Sequence, residues 1–140
     1  MQFTPYLNFD GNCREAFTFY EKLLGGKIKQ ISTFGEVPEN EKMPADMRDR
    51  IIHVNLQVGE QELMGSDTVA DTCEGGGYQK PQGLWVSIGV PTQEEGQRVF
   101  DGLAEGGDVR MPFEKTFWSG GFGMVVDRFG TPWMVNVIYK

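Results

Sequence analysis

One helix-ending motif occurs twice in this chain, and that repeat constrains the fold more than any other feature. Phe19-Tyr20-Glu21-Lys22-Leu23-Leu24-Gly25-Gly26 is echoed 81 residues later by Phe100-Asp101-Gly102-Leu103-Ala104-Glu105-Gly106-Gly107. In each copy an aromatic residue precedes a glycine pair, and Lys27-Ile28 or Asp108-Val109 then opens a strand-like run. Glycine is favoured just past a helix because it takes up a left-handed conformation without steric cost. The same offset carries Thr4, Tyr6, Leu7 and Phe9 onto Trp85, Ser87, Ile88 and Val90. Outward positions map onto outward ones and inward onto inward, so the repeat predicts two copies of one supersecondary unit.

Hydrophobic periodicity fills in each copy. Thr4 to Phe9 alternates as a half-buried strand, and Asn12 is placed to cap a helix whose Ala16, Phe19, Tyr20, Leu23 and Leu24 share one stripe. Strands follow from Ile28, from Ile51 to Val58 and around Leu63. Residues 35–50, with Pro38, Pro44 and clustered charge, read as a solvated loop holding at most a helical turn. The run 68–83, with Gly75-Gly76-Gly77, Pro81 and Gly83, reads as a linker. Its glycines precede no Lys-Ser/Thr and no helix, so it is not a phosphate loop. Leu84 to Val90 is then a strand, Thr92 caps a helix ending at Gly106-Gly107, and three strands close the chain, the first broken at Pro112 and therefore near an edge. The expected organisation is an α+β fold of two βαβββ modules, about 1–67 and 84–140, joined by the linker in a single domain.

Length and charge narrow the classes of function. A chain of 140 residues with 39% hydrophobic and 24% charged residues is an ordinary globular protein. A net charge of -7, with the 13 Lys and Arg scattered, argues against a nucleic-acid partner. Met1-Gln2-Phe3-Thr4-Pro5 has neither the basic start nor the apolar run of a secretory signal, and no stretch is long enough to span a membrane, so a cytoplasmic protein is expected. Cys13 and Cys73 form no CxxC motif, and reduced thiols fit that compartment. His53 is the one histidine, so no single chain supplies two imidazoles to a metal.

The two βαβββ modules, the Phe-Tyr…Leu-Gly helix end, Leu63-Met64-Gly65-Ser66-Asp67 and the terminal Asp127-x-x-Gly130-x-x-Trp133 resemble the vicinal oxygen chelate superfamily of glyoxalases, extradiol dioxygenases and bleomycin-resistance proteins. Pro5-Tyr6-Leu7-Asn8-Phe9, Phe117-Trp118…Phe122-Gly123 and Gly130-Thr131-Pro132-Trp133-Met134-Val135-Asn136 resemble its PhnB-like branch. The resemblance implies sheets curled around a groove, helices on the convex faces and a homodimer. Strand alternation then assigns the faces. Leu7, Phe9, Ile52, Val54, Leu56, Val86, Ile88, Val90, Trp133, Val135 and Val137 belong beneath the helices. Thr4, Tyr6, Asn8, His53, Asn55, Met64, Ser66, Trp85, Ser87, Met124, Met134 and Asn136 belong on the groove face.

In metal-using relatives the ligands, His and Glu, sit on the first and fourth strands of each module. Those positions fall here on Thr4, Met64, Trp85 and Met134, none of which is a usual ligand for a hard or borderline divalent ion. The expectation is therefore no metal and no other cofactor. It is a small organic molecule held between the modules by Tyr6, Asn8, His53, Asn55, Met64, Trp85, Ser87, Met134 and Asn136. His53 is the candidate catalytic residue, since an imidazole changes charge near neutral pH, although a lone histidine on this face is more often a hydrogen-bond partner of a neighbouring Asn or Tyr. The alternative function is a metal-dependent lyase, isomerase or dioxygenase. A methyltransferase is disfavoured because no glycine-rich strand-to-helix loop offers a site for a methyl-donor cofactor. Phe117 and Trp118 suit a rim or a dimer contact.

Overall fold

The computed structural model describes residues 1–69 and 77–138, so Cys73 and its distance from Cys13 lie outside the described residues. The chain divides into two compact units, Met1–Gln79 and Lys80–Lys140, with the boundary inside the expected linker. In the first unit β1 (Tyr6–Phe9), α1 (Cys13–Leu24), β2 (Lys27–Thr33), α2 (Ala45–Arg48), β3 (Ile51–Val58) and β4 (Gln61–Asp67) follow in order. In the second, β5 (Val86–Val90), α3 (Gln93–Ala104), β6 (Asp108–Glu114), β7 (Phe122–Val126) and β8 (Pro132–Val137) do so. The sheets have matching orders, β1-β4-β3-β2 and β5-β8-β7-β6. In each, the first strand pairs parallel to the last and the other pairs are antiparallel. This is the expected α+β arrangement of two βαβββ modules.

The glycine pairs that revealed the repeat are required by its geometry. Gly25 and Gly106 both have φ of 72°. The residues after them run tight against the sheet: a Cβ on Gly26 would lie 2.6 Å from the Gln57 carbonyl oxygen, and one on Gly107 2.5 Å from that of Val126. No side chain fits there, so the helix-to-strand turn of each unit needs glycine. The helix stripes are less regular than the motif suggested. Cys13, Ala16, Phe17 and Tyr20 are the buried residues of α1, and Gly96, Val99, Phe100 and Leu103 those of α3. These sets match at an offset of 83, not 81, so Phe100 packs as Phe17 does while Phe19 is half-buried. The motif aligns the helix ends; the buried faces are rotated within them.

The caps of the two helices also differ. Thr92 caps α3 as expected, its Oγ1 accepting from Glu95 N at 3.2 Å. Asn12 does not cap α1: its side chain makes no cap hydrogen bond. The buried Asp67, at the end of β4, does so instead, its Oδ1 accepting from Gly11 N at 2.8 Å and Cys13 N at 3.0 Å. Its Oδ2 accepts from Ile51 N at 2.8 Å, so one carboxylate joins the β1–α1 turn, β3 and β4. A negative charge at a helix start satisfies orphan amides and meets the positive end of the helix dipole. Burial, with the Asp67 charge beside it, pushes the Cys13 thiol far above its ordinary pKa, which leaves it a packing residue rather than a nucleophile.

One face assignment needs correction. Ile51 and not Ile52 enters the core, with relative exposure of 1%, because β3 carries an extra residue: Ser32 pairs with His53 but Thr33 with Ile51. Such a bulge breaks strict alternation. Val86 and Ile88 are half-buried, since β5 is an edge strand. Pro112 sits on β6, the opposite edge, where a missing N–H is tolerated. Residues 34–50 contain two single 3-10 turns, of which Phe34–Glu36 brings Phe34 into the core, and the short helix α2.

Candidate functional site

Two contacts show which face of each sheet is turned away from its helix. A Cβ on Gly65 would meet the Phe17 ring at 2.7 Å, and one on Gly123 the Phe100 ring at 2.7 Å. Residues 62, 64 and 66 on β4 and 122, 124 and 126 on β7 therefore face away from the helices. The strand period of two extends this to the sequence-selected residues through the pairing register.

In the first unit Tyr6, Met64 and Asn55 form one row across β1, β4 and β3, which continues to Gln30 on β2. Tyr6 is 49% exposed; its hydroxyl lies 3.1 Å from His53 Nδ1, and the two rings stack with centroids 5.8 Å apart. Asn8 accepts a long hydrogen bond of 3.4 Å from Ser66 Oγ. Asn55 Nδ2 donates to Glu62 Oε1 at 3.3 Å, whereas Asn55 Oδ1 is shut off from solvent and accepts no hydrogen bond. Turning the amide over would not help, because Glu62 needs a donor at that place. An unpaired buried acceptor costs about 1–3 kcal/mol.

Glu62 is the residue that face-by-face reading underrated. It accepts from Gln2 Nε2 at 2.9 Å and lies 3.7 Å from Lys29 Nζ. The Gln2 and Asn55 hydrogen bonds, with the Lys29 charge, hold its carboxyl below the usual range, so it is an anion at neutral pH. Alternation on β4 does place it beside Met64, but its partners Gln2, Lys29 and Asn55 come from the N-terminal segment, β2 and β3, which no local pattern in the sequence connects.

The second unit repeats the row with different chemistry. Ser87, Met134 and Met124 stand where Tyr6, Met64 and Asn55 stand in the first. Asn136 lies one step along β8, opposite Gly89 and Phe122, and its Oδ1 is likewise buried without a hydrogen bond. Trp85, half-buried just before β5, lines a separate pocket at the end of this sheet. The registers thus bring Tyr6, Asn8, His53, Asn55 and Met64 together in the first unit and Ser87, Met134 and Asn136 in the second. The Asp-x-x-Gly-x-x-Trp motif is structural: Asp127 Oδ1 accepts from Phe129 N and Thr131 N, both at 2.9 Å, and Oδ2 from Trp133 Nε1 at 2.8 Å. Trp133, 1% exposed, belongs to the core as expected.

The side chains at the metal positions do not fit a divalent ion. Thr4 accepts from Gln2 Nε2 at 3.2 Å, Met64 and Met134 offer thioethers, and Trp85 offers no lone pair. His53 is engaged with Tyr6 and Glu62 with Gln2, Asn55 and Lys29. Among the described residues no three His, Cys, Asp or Glu side chains are grouped to hold a metal.

Comparison with known proteins places this geometry. Residues 1–136 match a family described as 3-demethylubiquinone-9 3-methyltransferase. Protein YjdN of Escherichia coli (strain K12) is 36% identical over 146 residues, covering 99% of this chain and 96% of that protein. The crystal structure of protein PA1353 from Pseudomonas aeruginosa superposes with a TM-score of 0.87 at 44% identity, over 100% of this chain and 99% of that one. A putative 3-demethylubiquinone-9 3-methyltransferase, PhnB protein, from Bacillus cereus superposes with a TM-score of 0.76 at 26% identity, over 99% and 100%.

Proposed function

The chain belongs to the family described as 3-demethylubiquinone-9 3-methyltransferase, a PhnB-like member of the glyoxalase and bleomycin-resistance fold, and from that premise we propose that it binds a small organic molecule, without a metal, on the sheet faces turned away from its helices. The observation that carries this reading is the pair of buried, unpartnered amide oxygens, Asn55 Oδ1 and Asn136 Oδ1. Buried acceptors are nearly always paired, and a ligand donor would supply the missing partner once the side chains that cover each oxygen move aside to admit it. Around them stand the residues that make a binding surface: apolar Met64, Met124 and Met134 for contact area, and the Tyr6–His53 pair for direction. Thioethers on flexible stems suit ligands of varied shape.

Two activities associated with this family and fold find no support in the side chains. The donor set described above gives a divalent ion too few nitrogen or carboxylate ligands. For methyl transfer, the turn between β1 and α1 is filled by the Asp67 carboxylate, and the turn before α3 is capped by Thr92, so neither offers open amides to a cofactor.

The test is a thermal-shift and calorimetric screen of neutral amides, phenols and alcohols against the purified chain. A binder at 100 times its Kd stabilises by about 2.7 kcal/mol, a readily measured shift. Asn55→Leu and Asn136→Leu are expected to remove that shift in the unit where each resides. Stoichiometric zinc, nickel, manganese or iron, or tight binding of S-adenosylmethionine, would overturn the reading. We further propose that the chain pairs with itself through Phe117, 98% exposed, and Trp118, 55% exposed, whose rings meet edge to face at 4.8 Å. Light scattering of Phe117→Ser/Trp118→Ser should then report the mass of one chain and of the parent protein that of two.

A further inference from the structure

The pocket at the end of the second sheet has a composition unlike the rest of the molecule. Its volume is about 340 Å³, inside the range of small-ligand sites. It lies wholly in the second unit, beside the starts of β5 and β8 and the end of β7, with Arg110 reaching it from β6. Leu84, Trp85, Val126 and Pro132 form apolar walls, of which the indole is flat and rigid. Lys80 and Arg110 are its charged residues, and no carboxylate lines it. With Arg110 ion-paired to Asp108 at 2.7 Å, the two cations leave one net positive charge around an apolar slot, in a chain whose net charge is -7.

We propose that this pocket binds a planar organic anion, an aromatic carboxylate or a conjugated equivalent, with its ring against Trp85 and its charge between Arg110 and Lys80. Arg110 is oriented for this. Its Nε donates to Asp108 Oδ2 at 2.7 Å in an exposed ion pair, which leaves its Nη groups for a second carboxylate. That fork matches a carboxylate in two parallel bonds, whereas Lys80 contributes a point charge on a mobile stem. The indole gives a face for offset stacking at low entropic cost. The pocket opens to solvent, so its charge contribution is salt-sensitive. This proposal goes beyond the small-molecule reading above: it names a different ligand class at a separate place, whose lining includes neither Asn55 nor Asn136.

The experiment uses the full chain and calorimetry with 2-naphthoate, and with 2-naphthamide as its neutral counterpart, at low and high salt. One naphthoate should bind per chain, with the amide about tenfold weaker, as loss of a charge-assisted hydrogen bond implies. Arg110→Gln and Lys80→Gln, both at exposed side chains, should weaken naphthoate about five- to tenfold and leave the amide unchanged. Trp85→Ala should weaken both, with circular dichroism checking that the unit remains folded. Equal affinities for acid and amide, no effect of the two charge substitutions, or no naphthoate binding at millimolar concentration would overturn the proposal. If neutral compounds bind and are weakened by Asn55→Leu or Asn136→Leu but not by Trp85→Ala, the anion pocket falls while the small-molecule reading stands.

Discussion

The two sheets share strand order, parallel pair and turn glycines, yet their faces away from the helices have diverged. Where the first unit sets Tyr6, Met64 and Asn55 in a row, the second sets Ser87, Met134 and Met124. The methionine on the fourth strand is common to both, and its flanks change from hydrogen-bonding to small and apolar. The buried carboxylates differ too. Asp67 fastens β4 to β3 and to the start of α1, while Asp127 closes its own turn and holds the Trp133 indole. A duplicated scaffold thus keeps what its backbone geometry requires, as at the turn glycines, while each unit has its own buried carboxylate and its own outward side chains.

Removing the carboxylates gives the largest expected effect and tests whether the two have different reach. Asp67→Ala strands two buried amides, Cys13 and Ile51, and the part-buried amide of Gly11, in two segments of the chain, at about 1–3 kcal/mol each before relaxation, so a loss of about 3–5 kcal/mol is expected in urea unfolding. Asp127→Ala should cost a similar amount, about 3–5 kcal/mol, because it strands the buried Phe129 and Thr131 amides and the buried Trp133 indole N–H. Hydrogen exchange separates them. In Asp67→Ala the amides of Gly11, Cys13 and Ile51 should all lose protection, whereas in Asp127→Ala the loss should be confined to the Phe129–Thr131 turn. Loss confined to the β1–α1 turn in the Asp67 variant would erase the contrast.

Gly26→Ala and Gly107→Ala make the opposite test, of what the units share. Each forces a Cβ against a backbone carbonyl at 2.6 and 2.5 Å, and backbone cannot rotate away as a side chain can. Overpacking of this kind costs about 1–3 kcal/mol, and the two substitutions should cost the same within about 0.5 kcal/mol. A clear inequality, measured by thermal unfolding, would show that the glycine pairs are kept for different reasons.

Those glycines explain why so much of the fold was legible. A helix stop that admits no Cβ leaves its mark in composition, and alternation in β1, β3 and β8 marks the strand faces directly. Elements whose stability comes from distant partners left no such mark. Asn12 has the right chemistry for a cap but loses the position to Asp67, 55 residues away along the chain. Ile52 follows the alternation until the bulge against Ser32 and Thr33 shifts Ile51 into the core. The same limit applies to the candidate site. Tyr6 and His53 fall on one face by period and do meet, but Arg110 reaches the Trp85 pocket from a strand whose register slips on either side of Met111. Periodicity finds the residues on a face; it cannot find charges delivered to it by an irregular edge strand.

The smallest effect is the one that bears on function. Without ligand, Asn136→Leu removes a buried oxygen that has no partner and should stabilise the second unit by about 1 kcal/mol. Asn55→Leu removes a similar oxygen but also the hydrogen bond to Glu62, so its net change should lie near zero. With a screened ligand present, the order should invert, both variants falling below the parent chain, because the oxygen then has its partner and the leucine does not. Stability gained without ligand and lost with it is the pattern of a residue retained for binding. If instead Asn136→Leu destabilises the ligand-free chain, that oxygen has a partner within the folded protein, and the far face of the second sheet loses its claim to a ligand.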